Sequence, residues 1–322
     1  MTLKRCALAG VDEATPLFEL AVISDLHPFV EWGFLFSPGK QSNRGRYPSV
    51  QRIQRAFREL PAYANLSLRI CDEGVQQLLR EEPVLTGLFD QIRARGGRVQ
   101  LDGDFSNGKV DRAELLVFLL KHPDVKFITR HNEKNAAVTL ALIGLKNHFV
   151  LYDTSQGREI GPENWPAAPS MGFFGYAGGL GPETLEKSLP RIYKAAGHSE
   201  FWIELEGRLR DPNDRFDLRA ARACLEIIGS EMAERMQLPK NHPRRRQFEL
   251  SDLVTLTREG ASQENEFEVM LQRLVNATSN VLDPRVLDVR RKAESLLRDK
   301  GRMGLLRVDE PVPVPHDRLT SG

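Results

Sequence analysis

The chain has 322 residues, of which 41% are hydrophobic and 28% charged, a globular balance that excludes a wholly disordered polypeptide. Lysine plus arginine (45) nearly equals aspartate plus glutamate (44), so bulk charge implies neither nucleic acid nor an anionic membrane as partner. Cys6, Cys71 and Cys224 are odd in number and far apart, which argues against a disulfide framework and leads us to expect a soluble, cytoplasmic protein with free thiols. The longest apolar runs, such as 115–120, are too short to cross a bilayer, and no secretory leader is expected.

In chain order, an apolar run at 3–9 predicts the first strand. Thr15-Pro16 predicts an N-cap and first helical residue, with Leu17, Leu20, Ile23 and Leu26 following at helical spacing. A second strand at 31–37 and a polar loop at 38–44 lead to a helix opened by Pro48-Ser49, which carries Ile53, Ala56, Phe57 and Leu60 on one face. Strands at 66–71, 98–102, 125–130 and 148–153 continue the alternation. A seventh at 172–177 precedes a helix opened by Gly181-Pro182, with Leu185, Leu189 and Ile192. After an eighth strand at 201–206, Asp217 starts a long helix containing Leu218, Ala221, Cys224, Leu225 and Ile228.

Eight strands with interleaved helices predict an α/β fold, a (β/α)8 TIM barrel over residues 1–236; an open doubly wound sheet is the alternative from pattern alone. In a barrel, chemistry sits on the loops after the C-terminal strand ends. Beyond it, the prolines and arginines of 239–246 predict a linker, including Arg244–Arg246. Helical patterns at 264–278 and 284–298 suggest a C-terminal helical extension spanning 237–307, with a flexible tail at 308–322.

Four features carry candidate chemistry. Gly178-Gly179-Leu180-Gly181 between strand and helix would let backbone N–H groups approach a phosphate at a helix N-terminus, or would merely form a tight turn needing positive φ. Asp153, closing the sixth strand, is a candidate general acid or a loop cap. Cys6 in the first strand is either a packing residue or, facing the mouth, a base; Cys71 and Cys224 are read as packing. Arg46, after the second strand, would fork onto a substrate carboxylate or stand solvated in its loop. Asp25, His27, Asp104, His131 and Glu204 include metal-ligand types without a ligand spacing, so no metal is expected.

Together these stretches resemble phosphoribosylanthranilate isomerase over roughly residues 3–229. Lys4-Arg5-Cys6-Ala7-Leu8 resembles the family's first strand, and Gly33-Phe34-Leu35-Phe36-Ser37-Pro38 with Arg46-Tyr47 its second strand and loop. Val99-Gln100-Leu101-Asp102-Gly103-Asp104 is similar to its fourth strand, Leu151-Tyr152-Asp153-Thr154 to its sixth, and Gly178-Gly179-Leu180-Gly181-Pro182-Glu183 to its phosphate loop. The resemblance implies a cofactor-free Amadori rearrangement of an aminoaldose phosphate, with Asp153 as general acid and Cys6 as general base. It further implies Arg46, Gln100, Asp102 and Arg208 as substrate-binding residues, and Gly178, Gly179, Leu180 and Gly207 as the phosphate site.

Three departures qualify that expectation. Asp102 stands where the family has histidine, Ala7 where it has glycine, and Glu204-Leu205-Glu206-Gly207-Arg208 where it has a Ser-Ser-Gly half-site. A glutamate there would oppose phosphate unless Arg208 or Arg210 compensates, or unless Glu206 points elsewhere. The expected function is an isomerase, or a related proton-transfer enzyme, acting on a phosphorylated sugar-like metabolite. The alternative is a non-catalytic phosphate-ligand-binding barrel that uses its C-terminal helices to bind a protein partner.

Overall fold

The structure, a computed structural model, describes residues 2–42, 45–142, 144–153, 155, 161–162, 164–168 and 173–236. The expected linker, extension and tail at 237–322 lie outside the described residues, as does Gly172. The first half of the fold runs β1 (Thr2–Ala9), α1 (Leu17–Leu26), β2 (Val30–Phe36), α2 (Val50–Glu59), β3 (Asn65–Cys71), α3 (Gly74–Leu79), α4 (Pro83–Ala94) and β4 (Arg98–Asp102). The second half runs α5 (Arg112–Lys121), β5 (Lys126–His131), α6 (Ala136–Leu142), β6 (His148–Asp153), β7 (Phe173–Ala177), α7 (Pro182–Ala196), β8 (Glu200–Leu205) and α8 (Leu218–Arg235).

Every strand pairs in parallel with the next and β8 returns to β1, closing an eight-stranded barrel and setting aside the open sheet. Local chemistry fixes the helix starts. Ser49 Oγ accepts the Arg52 N–H at 3.0 Å to cap α2, and Asp217 accepts from Arg219 and Ala220 to cap α8. Thr15 is a correction: it is not the cap of α1. Its hydroxyl donates to Asp12 Oδ1 at 2.6 Å, and Pro16 holds the cap position without a side-chain bond.

The barrel has two cores because successive strand residues face opposite sides. Outward residues such as Leu8, Phe34, Leu68 and Ile203 pack with Leu20, Ile53 and Leu225 of the helices. Each such burial contributes roughly 1.5–3 kcal/mol. Inward, Ala7, Ile128, Leu151, Ala177 and Trp202 form a second, smaller cluster. A Cβ on Gly175 would fall on the Trp202 ring, so glycine is what lets that indole fill the barrel axis.

Much of the interior is ionic rather than aliphatic. Arg98 makes two 2.7 Å bonds to the oxygens of Glu31, and Arg5 lies 3.6 Å from the same carboxylate. The Arg98 guanidinium stacks 4.6 Å from the Trp202 ring. A fork of this kind offsets the desolvation of both charges, which makes it costly to break from one side only.

Candidate functional site: the barrel mouth

The inward residues at the C-terminal strand ends build the mouth. Arg130 on β5 donates to Asp102 of β4 at 2.5 Å and lies 3.4 Å from Asp153 of β6. Burial alone would lower its pKa, but Asp102, Asp153 and Glu206 outweigh that and raise it above the ordinary arginine value. Arg69 on β3 pairs with both Glu204 and Glu206. Gln100 bridges the same group, donating to Glu204 at 2.8 Å and accepting from Arg69 Nε at 3.1 Å in the amide orientation that satisfies both. From the loop after β2, Arg46 reaches Glu206 at 3.1 Å and Asp214 at 2.8 Å.

Beside this network lies a cavity of about 90 Å³, bordered by Gly178, Gly179, Leu180 and Gly207. Gly178 (φ 113°) and Gly179 (φ 64°) hold backbone conformations that side-chain-bearing residues rarely adopt. Thr184 Oγ1 donates to Gly179 O at 2.7 Å and accepts the Gly181 N–H at 3.0 Å, fixing the turn into α7. The positive end of that helix dipole therefore borders the cavity. Arg208 lies across Gly181, with its guanidinium 3.6 Å from Glu183. A larger groove of about 420 Å³ opens over the loops after β2, β3 and β4, with Phe105 and Val110 in its wall between Lys40 and Glu73.

Asp153, Arg46, Arg208, Gly178, Gly179, Leu180 and Gly207 all line the small cavity; Gln100 and Asp102 stand just behind it. Asp153 Oδ1 accepts from the Ser155 N–H at 3.0 Å and from its hydroxyl at 2.6 Å. Glu206 lines the same cavity as Gly178, Gly179 and Leu180. Its compensation comes from Arg46 and Arg69, whereas Arg210 is engaged with Asp12 and Asp214. Arg46 is likewise not a solvated loop arginine waiting for a carboxylate, because the chain's own acids already hold it.

Cys6 is the main correction. It does not face the mouth: it is fully buried in the outer core with Leu8 and Ile203. The cause is a register shift between Leu3 and Arg5 in the β1–β8 pairing, where Lys4 is the extra residue. With a side-chain period of two, one added residue turns Cys6 outward and Ala7 inward, beside Glu204. Burial, with Cys224 and Glu31 adding to it, pushes the Cys6 thiol well above its ordinary pKa, the reverse of what a base needs. The thiol that does border the inner mouth is Cys71, packed with Ala9, Leu35 and Tyr47. It too is raised well above the ordinary value, by burial first and Asp102 next.

Sequence reasoning missed Arg69 and Arg130, the cations that organise the mouth. The available signal was alternation inside the strands: Arg98-x-Gln100-x-Asp102, Arg69-x-Cys71 and Glu204-x-Glu206 each place polar groups on one face. Among the described residues, no group of three or more His, Cys, Asp or Glu side chains could hold a metal, and no helix is long and apolar enough to cross a membrane.

Fold and mouth together define a closed (β/α)8 barrel with a glycine turn and an ionic network at its C-terminal end. Among solved structures, the chain is similar to phosphoribosyl anthranilate isomerase from Thermus thermophilus, at 17% identity and a TM-score of 0.47, covering 70% of this chain and 99% of that one. It is also similar to TrpF from Jonesia denitrificans, at 13% identity and a TM-score of 0.48, covering 70% and 96%. A third similar structure is a phosphoribosyl anthranilate isomerase in complex with reduced 1-(o-carboxyphenylamino)-1-deoxyribulose 5-phosphate, at 14% identity and a TM-score of 0.44, covering 69% and 96%. No protein family and no curated protein matches the chain.

Proposed function

We propose that this barrel binds the phosphate group of a small phosphorylated metabolite at Gly178–Leu180, with Arg130 and Arg208 as its charge partners. The observation that carries this reading is the pair of positive-φ glycines opening onto a cavity lined by guanidiniums at the N-terminus of a 15-residue helix. At about 90 Å³ the cavity has space for roughly three waters. That suits one tetrahedral oxyanion and falls well short of the roughly 300 Å³ at which sites for whole small molecules begin. The body of the ligand would run toward the 420 Å³ groove, past the Asp102–Arg130 pair.

The reading favours binding over the thiol-dependent isomerisation. That reaction needs a thiolate beside the sugar, and Cys6 lies in the outer core with its pKa driven up. Asp153 keeps a role beside the phosphate, orienting Arg130. The test is a thermal melt with inorganic phosphate, ribose 5-phosphate and ribose. At a hundredfold excess over Kd the two phosphates should stabilise the fold by about 2.7 kcal/mol, raising Tm by roughly 5–10 °C for a domain of this size, while ribose leaves it unchanged. No shift with either phosphate would overturn the proposal.

A further inference from the structure

The cavity that borders Gly178–Leu180 is charge-balanced. Three guanidiniums (Arg46, Arg130, Arg208) and three carboxylates (Asp153, Glu204, Glu206) line it. A phosphate dianion entering such a site gains no net attraction and meets three like charges at short range. Tight binding therefore requires one carboxylate to withdraw.

The three acids differ in their freedom to do so. The Asp153 side chain is 9% exposed and tied to Ser155 through two bonds. Glu204 is 7% exposed, held by Arg69 and Gln100 deep in the barrel. Glu206 is 24% exposed and sits one residue past the end of β8, on the turn leading to Gly207–Leu209. Its carboxylate rests between two guanidiniums, Arg46 and Arg69, which donate to opposite oxygens. That is the arrangement arginines adopt around a bound oxyanion, with the chain supplying the anion itself.

We propose that Glu206 is an internal occupant of the anion site: it plugs Arg46 and Arg69 while no ligand is bound, and swings out toward solvent to admit phosphate. The plug rests on the phosphate-binding reading and adds its regulation. Burial would raise the Glu206 pKa, but Arg69, Arg46 and Arg130 outweigh it and keep the value below that of an ordinary carboxylate, so the plug is an anion at neutral pH. Withdrawal leaves the cavity lining with one net positive charge and frees one nitrogen each of Arg46 and Arg69, whose other nitrogens stay on Asp214 and Glu204.

The experiment is isothermal titration of the full chain with inorganic phosphate, using wild type, Glu206→Gln, Glu206→Asp and Asp214→Asn, each checked by its unliganded melting curve. Glu206→Gln should bind phosphate at least tenfold tighter than wild type, about 1.4 kcal/mol. Glu206→Asp, one methylene too short to span both arginines, should fall between them. Asp214→Asn removes an equal charge from the other side of Arg46, outside the cavity, and should change affinity far less. The plug is overturned if folded Glu206→Gln binds no tighter than wild type, or if Asp214→Asn tightens binding equally. If Glu206→Gln does not fold, Glu206→Asp decides in the same way. Wild type binding phosphate with no gain in the Glu206 variants defeats the plug alone; no binding by any variant defeats the phosphate reading and the plug together.

Discussion

Replacing Cys6 with serine separates the two places that residue could occupy. In the outer core the sulfur is fully buried, and among the described residues it makes no hydrogen bond. A serine there buries a hydroxyl without a partner, which costs roughly 1–3 kcal/mol by mutational measure. At 2–4 °C per kcal/mol for a domain of 150–250 residues, Tm should fall by roughly 2–12 °C. Cys6→Ala introduces no polar group and should lose less. Phosphate affinity, read by calorimetry below the lowered Tm, should stay within twofold of wild type for both. The thiol should also resist alkylation at pH 8 until the chain unfolds, since burial disfavours its thiolate. A serine variant with unchanged Tm and collapsed ligand affinity would refute this placement and return Cys6 to the mouth.

Two further outcomes follow from the buried charges. Glu31→Gln leaves Arg98 without its fork in a region where both side chains are 3% exposed or less; it should cost about 3–5 kcal/mol, and adding Arg98→Met should recover part of it. Calorimetric melts would show this, and a Glu31→Gln melt within 2 °C of wild type would contradict it. His148, whose Nε2 lies 2.8 Å from Thr129 Oγ1, is driven by burial to a pKa of about 4. The unfolded chain then takes up a proton that the folded one refuses, so this contribution is present above pH 6.5 and is lost as the pH falls toward 4. Urea titrations across that window should show a shallower acid loss in His148→Gln than in wild type; parallel curves would contradict the assignment.

The strands were legible because burial on both faces leaves largely apolar runs, and all eight begin and end within one residue of expectation. The glycine turn was legible for a similar reason: adjacent glycines before a proline-started helix admit few conformations. Side-chain direction was not. The first strand reads identically with or without an extra residue in its pairing to β8, yet that single residue decides whether Cys6 or Ala7 looks inward. The ionic network was equally hidden, since Arg46, Arg69 and Glu206 are far apart in sequence and only barrel closure brings them together. Asp214, which takes the second nitrogen of Arg46, lies in an Asp-Pro-Asn-Asp stretch that signals a turn but not the partner its carboxylate finds.

The proposed site requires an oxyanion at the end of β7. An amide-resolved NMR titration of the isotope-labelled protein with inorganic phosphate reads this directly. Saturable shifts centred on the Gly178, Gly179 and Leu180 N–H groups, with Arg208 following, are the predicted result. Saturable shifts confined to the groove around Lys40 and Lys109, or no saturation anywhere at tens of millimolar phosphate, would contradict it.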